Sequence, residues 1–311
     1  MTLDHCKSES TARSASNFSS RRPYLLLALA SLCWSGNHIV GRAIVGHIPP
    51  YTISTARWLI PALLLGLVAH TKIRKDWPLI RQHWGIVLWL GVTGGALFSA
   101  LQYVGLQYTS ALNASILNSL VPVLILAAGA VVFRDRIDFI QVAGIGVSLA
   151  GVLILITKGN LDILRQLNFN YGDIIIFINM VIFAIYSAYL RRRPQIHWLS
   201  FMFALAVVSV AGTTPFAIFE VMSGYSVELN ILTISAILYV SIFPSIIAFA
   251  AWNRGVEIIG ANRSGPFLHL IPLYTAVLAS IFLGEYFMLF HIFGLLMILG
   301  GVWFAARTQG V

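Results

Sequence analysis

A chain of 311 residues that is 58% hydrophobic and only 10% charged cannot cover a soluble surface of its own size, which excludes a soluble enzyme domain of any extent. The net charge of +9 does not point to nucleic acid, because the basic residues sit in short clusters between apolar stretches, as they do where charge orients membrane spans. The two cysteines, Cys6 and Cys33, offer neither a disulfide framework nor a metal-ligand spacing.

In chain order, residues 1–22 are rich in Ser, Thr and Arg and predict a disordered tail. Ten apolar segments follow, at 24–46, 51–70, 84–105, 110–132, 138–157, 171–190, 199–220, 230–252, 261–283 and 287–306. Each has about the 20 residues that a helix needs to cross a hydrocarbon core. The first is too long for a signal-peptide core and no small-residue cleavage site follows it, so it reads as a transmembrane helix. Residues 158–170 form a linker loop and 307–311 a short tail; the other connections are polar turns.

Polar residues inside these spans are the candidates for function, since in lipid they must be satisfied internally or face a water-filled cavity. The first span places Trp34, Asn37, His38 and Gly41 on one helical face. That face suits either a cavity wall or polar packing between helices. Arg57, in the second span, is a lone cation that either attracts a substrate carboxylate or pins backbone carbonyls. The third and eighth spans contribute Gln102, Tyr103, Phe249 and Trp252, and the sixth contributes Asn179, Phe183, Tyr186 and Tyr189. Trp34, Tyr186 and Trp252 are the aromatic candidates for cavity walls. The fourth span carries Asn113, Ser115, Asn118, Ser119 and Pro122, and the ninth Asn262, Ser264, His269, Pro272 and Tyr274. Proline frees a backbone carbonyl one turn earlier, so Pro122 and Pro272 are candidate helix hinges. Asn118, Ser119 and His269 then either contact substrate or cap those carbonyls.

Absences narrow the mechanism. All 11 Asp and Glu lie outside the span centres, so tight proton coupling has no buried carboxylate to use. No metal-ligand cluster, nucleophile elbow or phosphate-binding loop is present, and no cofactor is expected.

Charge sets the expected orientation. With the N-terminus in the cytoplasm, 16 of the 20 Lys and Arg fall on cytoplasmic segments and only Arg42, Lys158 and Arg165 on external ones, with Arg57 inside a span. An even span number with both termini in the cytoplasm follows.

The chain also matches itself at an offset of 150 residues: Gly105 with Gly255, Leu120 with Leu270, Pro122 with Pro272, Asp135 with Glu285, Gly144 with Gly294, and Gly151-Val152 with Gly301-Val302. With five spans per half, the halves must be inverted relative to one another, which places a binding site near the midplane between them. The paired glycines of the fifth and tenth spans read as helix-packing sites. A monomer is favoured over a homodimer.

This doubled pattern of Pro, an acidic residue, Gly and Gly-Val resembles the ten-helix drug/metabolite transporter superfamily, EamA type, with repeats over about 23–157 and 171–306. The first copy departs from the family pattern in having Asp135 where Glu is usual, between Arg134 and Arg136. Within the family the chain is most similar to the YddG-type amino-acid exporters. The expectation is thus an all-α integral membrane protein of ten transmembrane helices in two inverted five-helix repeats. It would be a non-enzymatic, multi-pass protein of the cytoplasmic (inner) membrane. The resemblance implies export of a small-molecule substrate, a neutral or aromatic amino acid, by alternating access. Proton coupling would be weak or absent. Carriers of nucleotide sugars, organic phosphates or drugs are the alternative, and a membrane enzyme or assembly subunit a more distant one.

Overall fold

The computed structural model describes residues 3–109, 114, 117–157, 159, 160, 162, 170–283 and 289–307. Asn113, Ser115, Lys158, Arg165 and Glu285, singled out above, lie outside the described residues. Each of the ten predicted segments contains a helix: α1 (Leu3–Ala43), α2 (Pro50–Val68), α3 (Trp84–Tyr108), α4 (Val121–Phe133), α5 (Phe139–Thr157), α6 (Tyr171–Tyr189), α7 (Trp198–Met222), α8 (Ile231–Ile259), α9 (Leu270–Leu283) and α10 (Leu289–Arg307). Six of them, α1 to α3 and α6 to α8, are long and apolar enough to cross a membrane on their own described length. Among the described residues there are no strands.

Two local expectations are corrected. Residues 3–22, expected as a disordered tail, have helical backbone continuous with the first span. No Gly or Pro occurs between Leu3 and Arg22 to stop a helix that the membrane segment has already nucleated. The connection after α2 is not a turn but a further helix, His70–Gln82. It buries Ile80 and docks through Asp76, which accepts the backbone N–H of His197 at 2.9 Å, and Lys72, which lies 3.0 Å from His197 Nε2.

Helix starts and ends consume the acidic residues. Glu220, buried at the end of α7, accepts the backbone N–H groups of Tyr51 (2.9 Å) and Thr52 (2.8 Å) and the Thr52 hydroxyl (2.9 Å), satisfying the free donors at the start of α2. Asp173 completes a capping box with Asn170 at the start of α6 and accepts from the Thr109 hydroxyl.

The inverted repeat is visible in how equivalent helices meet. A Cβ on Gly144 would lie 2.8 Å from the Gly301 carbonyl oxygen, and one on Gly151 would lie 2.9 Å from that of Gly294. Numbers rise along α5 as they fall along α10, so the two helices are antiparallel and touch backbone to backbone. The 150-residue offset exchanges Gly144 with Gly294 and Gly151 with Gly301, and so maps one contact onto the other. Only a two-fold relation between the halves does this; repeats in the same orientation would place equivalent helices parallel. The glycine faces expected to pack helices do so within the chain.

Equivalent departures from α-helix follow the same symmetry. α3 contains a π-helical segment at Val92–Leu97 and α8 one at Phe243–Ile247, one repeat apart. The ninth span is broken ahead of α9 by a 3-10 segment, Gly265–His269, and a turn at Ser119–Leu120 precedes α4. Pro122 and Pro272 each stand in the first turn that follows, where a missing N–H is tolerated. The prolines therefore restart helices rather than kink continuous ones. The two breaks touch, since a Cβ on Gly265 would lie 3.3 Å from Pro122 Cα.

Candidate functional site

A cavity lies where these irregular segments converge. α1 supplies Trp34, Asn37 and His38, α3 supplies Phe98 and Gln102, and the fourth span supplies Asn118 and Val121. Met180 and Phe183 of α6 and Leu268 and Ile271 of the ninth span complete it, so both halves contribute. Its free space is about 30 Å³, enough for one water-sized occupant but not for a metabolite. The helices are thus closed around the site.

One wall is polar. His38 Nδ1 is 3.4 Å from Gln102 Nε2, and His38 Nε2 is 3.4 Å from Asn118 Nδ2. Each amide is oriented by a second partner: Gln102 Oε1 accepts from Asn179 Nδ2 at 3.3 Å, and Asn118 Nδ2 donates to the Ala114 carbonyl at 3.0 Å. A neutral imidazole has one donor and one acceptor, so it can accept from only one of two amide N–H groups. Donor capacity is left over at the cavity, which suits a ligand that brings an acceptor.

The opposite wall is aromatic. Phe183 lies 5.5 Å from Trp34 and 4.8 Å from Phe98 between ring centroids. The Trp34 indole N–H donates at 3.1 Å to the Pro244 carbonyl in the π segment of α8. At the equivalent place in the other half, the Tyr186 ring lies on Gly94, where a Cβ would come within 2.2 Å of it. π segments leave irregular backbone groups of this kind and recur at functional sites.

Of the residues predicted for the wall, Trp34, Asn37, His38, Gln102 and Asn118 are brought together on it. Ser119, Tyr186, Trp252, His269 and Arg57 are not. His269 is fully buried, with Nε2 2.8 Å from the Ser119 carbonyl oxygen and Nδ1 against the Ser148 hydroxyl. It holds the broken fourth span, which is the capping alternative. Trp252 lies behind Trp34 at 5.6 Å and donates to Ser187 Oγ at 3.3 Å. Tyr186 donates to Asn253 Oδ1 at 2.6 Å. This bond has a mirror image in the first half, where the Tyr103 hydroxyl donates to Asn37 Oδ1 at 3.0 Å. Positions 103 and 253 are 150 apart and 37 and 186 are 149 apart, so each half has one Tyr–Asn bond with the residue types exchanged. By the same register, Trp34 corresponds to Phe183 rather than to Tyr186. Sequence reasoning passed over Phe98, Val121, Met180, Leu268 and Ile271, because an apolar residue inside an apolar span gives no signal.

Comparison with known proteins fits this architecture. The profile of the EamA-like transporter family matches residues 21–157 and again 170–307. The chain belongs to that family. The EamA proteins are part of the drug/metabolite transporter superfamily, so this is an integral, multi-pass membrane transporter. The uncharacterized transporter YyaM of Bacillus subtilis (strain 168) is 28% identical over 285 residues, covering 90% of this chain and 92% of its own. An uncharacterized transporter of Archaeoglobus fulgidus is 28% identical over 93% of this chain and 98% of its own. A solved crystal structure with 20% sequence identity shares the fold, with a TM-score of 0.69 over 92% of this chain and 96% of that one.

Proposed function

We propose that this EamA transporter exports small metabolites with a hydrogen-bond-accepting head and an apolar body, foremost neutral or aromatic amino acids. The observation that carries this reading is the two-sided cavity between the halves: surplus donors at His38, Gln102 and Asn118 face the rings of Trp34, Phe98 and Phe183. Transport proceeds by alternating access, with the halves rocking around this site. It is uncoupled or weakly coupled to protons, because no carboxylate lies in a span centre and His269 is engaged on both ring nitrogens. The protein works as a monomer in the cytoplasmic membrane with both termini inside. Supporting this orientation, cytoplasmic segments take 16 of 20 Lys and Arg.

The test is a panel of labelled amino acids in proteoliposomes, with and without an imposed pH gradient. Equilibration of aromatic or neutral amino acids at equal pH, unaltered by the gradient, is expected. Accumulation above equilibrium that an uncoupler abolishes would overturn the uncoupled mechanism, and failure to move any amino acid would overturn the substrate class. For orientation, an external thiol reagent should modify a cysteine at Asn160 and spare one at Arg193 in intact cells. The reverse pattern would invert the topology.

A further inference from the structure

Arg57 is wholly buried, 0% exposed, in α2. Its Nε donates to Ser245 Oγ at 2.7 Å, within the π segment of α8, and Ser245 Oγ itself donates to the Val240 carbonyl. Nη1 and Nη2 have no hydrogen-bond partner among the described residues. The guanidinium carbon lies 5.8 Å from the centroid of Trp58 and 6.0 Å from that of Tyr103. The ion pairs among the described residues lie elsewhere, in loops or near helix ends: His47–Glu228, Arg191–Asp135, and Arg193 and Arg254 on Glu257.

An arginine does not shed its proton to escape such a place. Burying an unpaired cation is costly, and two ring faces offset only part of that cost. The alternative weighed from sequence, a pin on backbone carbonyls, is not what the geometry shows: the only printed acceptor is one hydroxyl. The site has a fixed positive charge, two free parallel donors and no anion. It is also next to the cavity. The Tyr103 ring flanks the guanidinium, its hydroxyl donates to Asn37 Oδ1 at 3.0 Å, and Asn37 lines the cavity wall.

We infer that Arg57 is the anchor for the carboxylate of the transported substrate, reached when the Tyr103–Asn37 bond opens. The inference rests on the cavity being the substrate site. A planar carboxylate matches the paired Nη donors, and its charge replaces the missing counter-ion. The anchor makes a carboxylate a requirement for transport. An amide or amine with the same apolar body lacks the anion and is refused, because it would leave the guanidinium unpaired.

The experiment compares L-phenylalanine and 3-phenylpropanoic acid with phenylalaninamide and phenethylamine on the full chain, purified and reconstituted in chloride-free gluconate buffer. Thermal stabilisation and proteoliposome uptake are read for each. The expected result is that the two acids stabilise and enter, while the amide and amine bind at least tenfold more weakly. Arg57→Gln should abolish the difference between acid and amide, and Arg57→Lys should retain part of it. If Arg57→Gln does not fold, the comparison on the unaltered protein decides. Equal behaviour of acid and amide would overturn the anchor and leave the amino-acid reading standing. Absence of any response to either acid would overturn both. Stabilisation by chloride alone that matches the acids would assign Arg57 to an inorganic anion and overturn its role toward substrate.

Discussion

Single side chains here divide into those facing the cavity and those spent on holding helices. Asn118→Ala removes one donor from the wall; at about 1 kcal/mol for a hydrogen bond, apparent substrate affinity should fall roughly fivefold in a proteoliposome uptake assay. Glu220→Ala instead strands the capped N–H groups of Tyr51 and Thr52, and should lower unfolding stability in detergent by about 1–3 kcal/mol. Asp135 gives a pH-dependent case. Arg191 donates to its two oxygens at 2.8 and 2.5 Å, and these bonds hold the Asp135 carboxyl below the usual carboxylate range. A depressed folded value means the contribution is complete above the unfolded aspartate value of about 3.9 and is lost as pH falls through the folded one. Asp135→Asn should therefore be less stable than the parent at neutral pH, and the gap should close on acidification below about pH 4 in a thermal-shift series. The sequence singled out five of the wall residues because an Asn, Gln, His or Trp contrasts with an apolar span. The same contrast misled at Ser119 and His269, which use their polarity on backbone and on Ser148. Hydropathy cannot separate a group that satisfies the protein from one that awaits a ligand; only the partner list does.

At the level of helices, close backbone approach is the decisive contact. Gly301→Ala would push a Cβ to 2.5 Å from both the Gly144 carbonyl oxygen and the Ser148 nitrogen, neither of which can swing aside. The cost should be roughly 1–3 kcal/mol, read as a lowered unfolding temperature in detergent. Gly146, on the same α5, has nothing within 4 Å of its hypothetical Cβ, so Gly146→Ala should be neutral or slightly stabilising and serves as the control. Runs of apolar residues made all ten spans legible, and the 150-residue offset made the pairing of α5 with α10 foreseeable as a packing seam. The π segments and the 3-10 break left no such mark, because they alter hydrogen-bond register without altering composition. The helix His70–Gln82 was hidden for a different reason: it is polar and basic, and reads as a turn unless its docking surface is known.

Across the whole molecule, the exchanged Tyr–Asn bonds close opposite mouths of one site. Tyr103–Asn37 lies toward the ends of α1 and α3 that charge counting places outside, and Tyr186–Asn253 toward the inner ends of α6 and α8. With both formed, the cavity has room for only one water-sized occupant, so access to either side requires one bond to break. Tyr103→Phe should raise, and Tyr186→Phe lower, the rate at which an external thiol reagent reaches a cysteine at Gln102, with Cys33 replaced. Equal rates in both variants would remove these bonds from the gating cycle. The paired π segments carry a last consequence. A π turn holds one residue more than an α turn of the same height, so each half is wound one residue out of step between the start and the end of its third span. Deleting a single residue within 92–97 would restore even winding and rotate everything beyond it by about 100°. Phe98 and Gln102 would swing from the cavity to a neighbouring helix or to lipid, and the chain would still be a membrane-spanning bundle with the same hydropathy profile. The surplus residue thus works as a phase setting: it fixes which face of an otherwise featureless apolar rod meets the substrate.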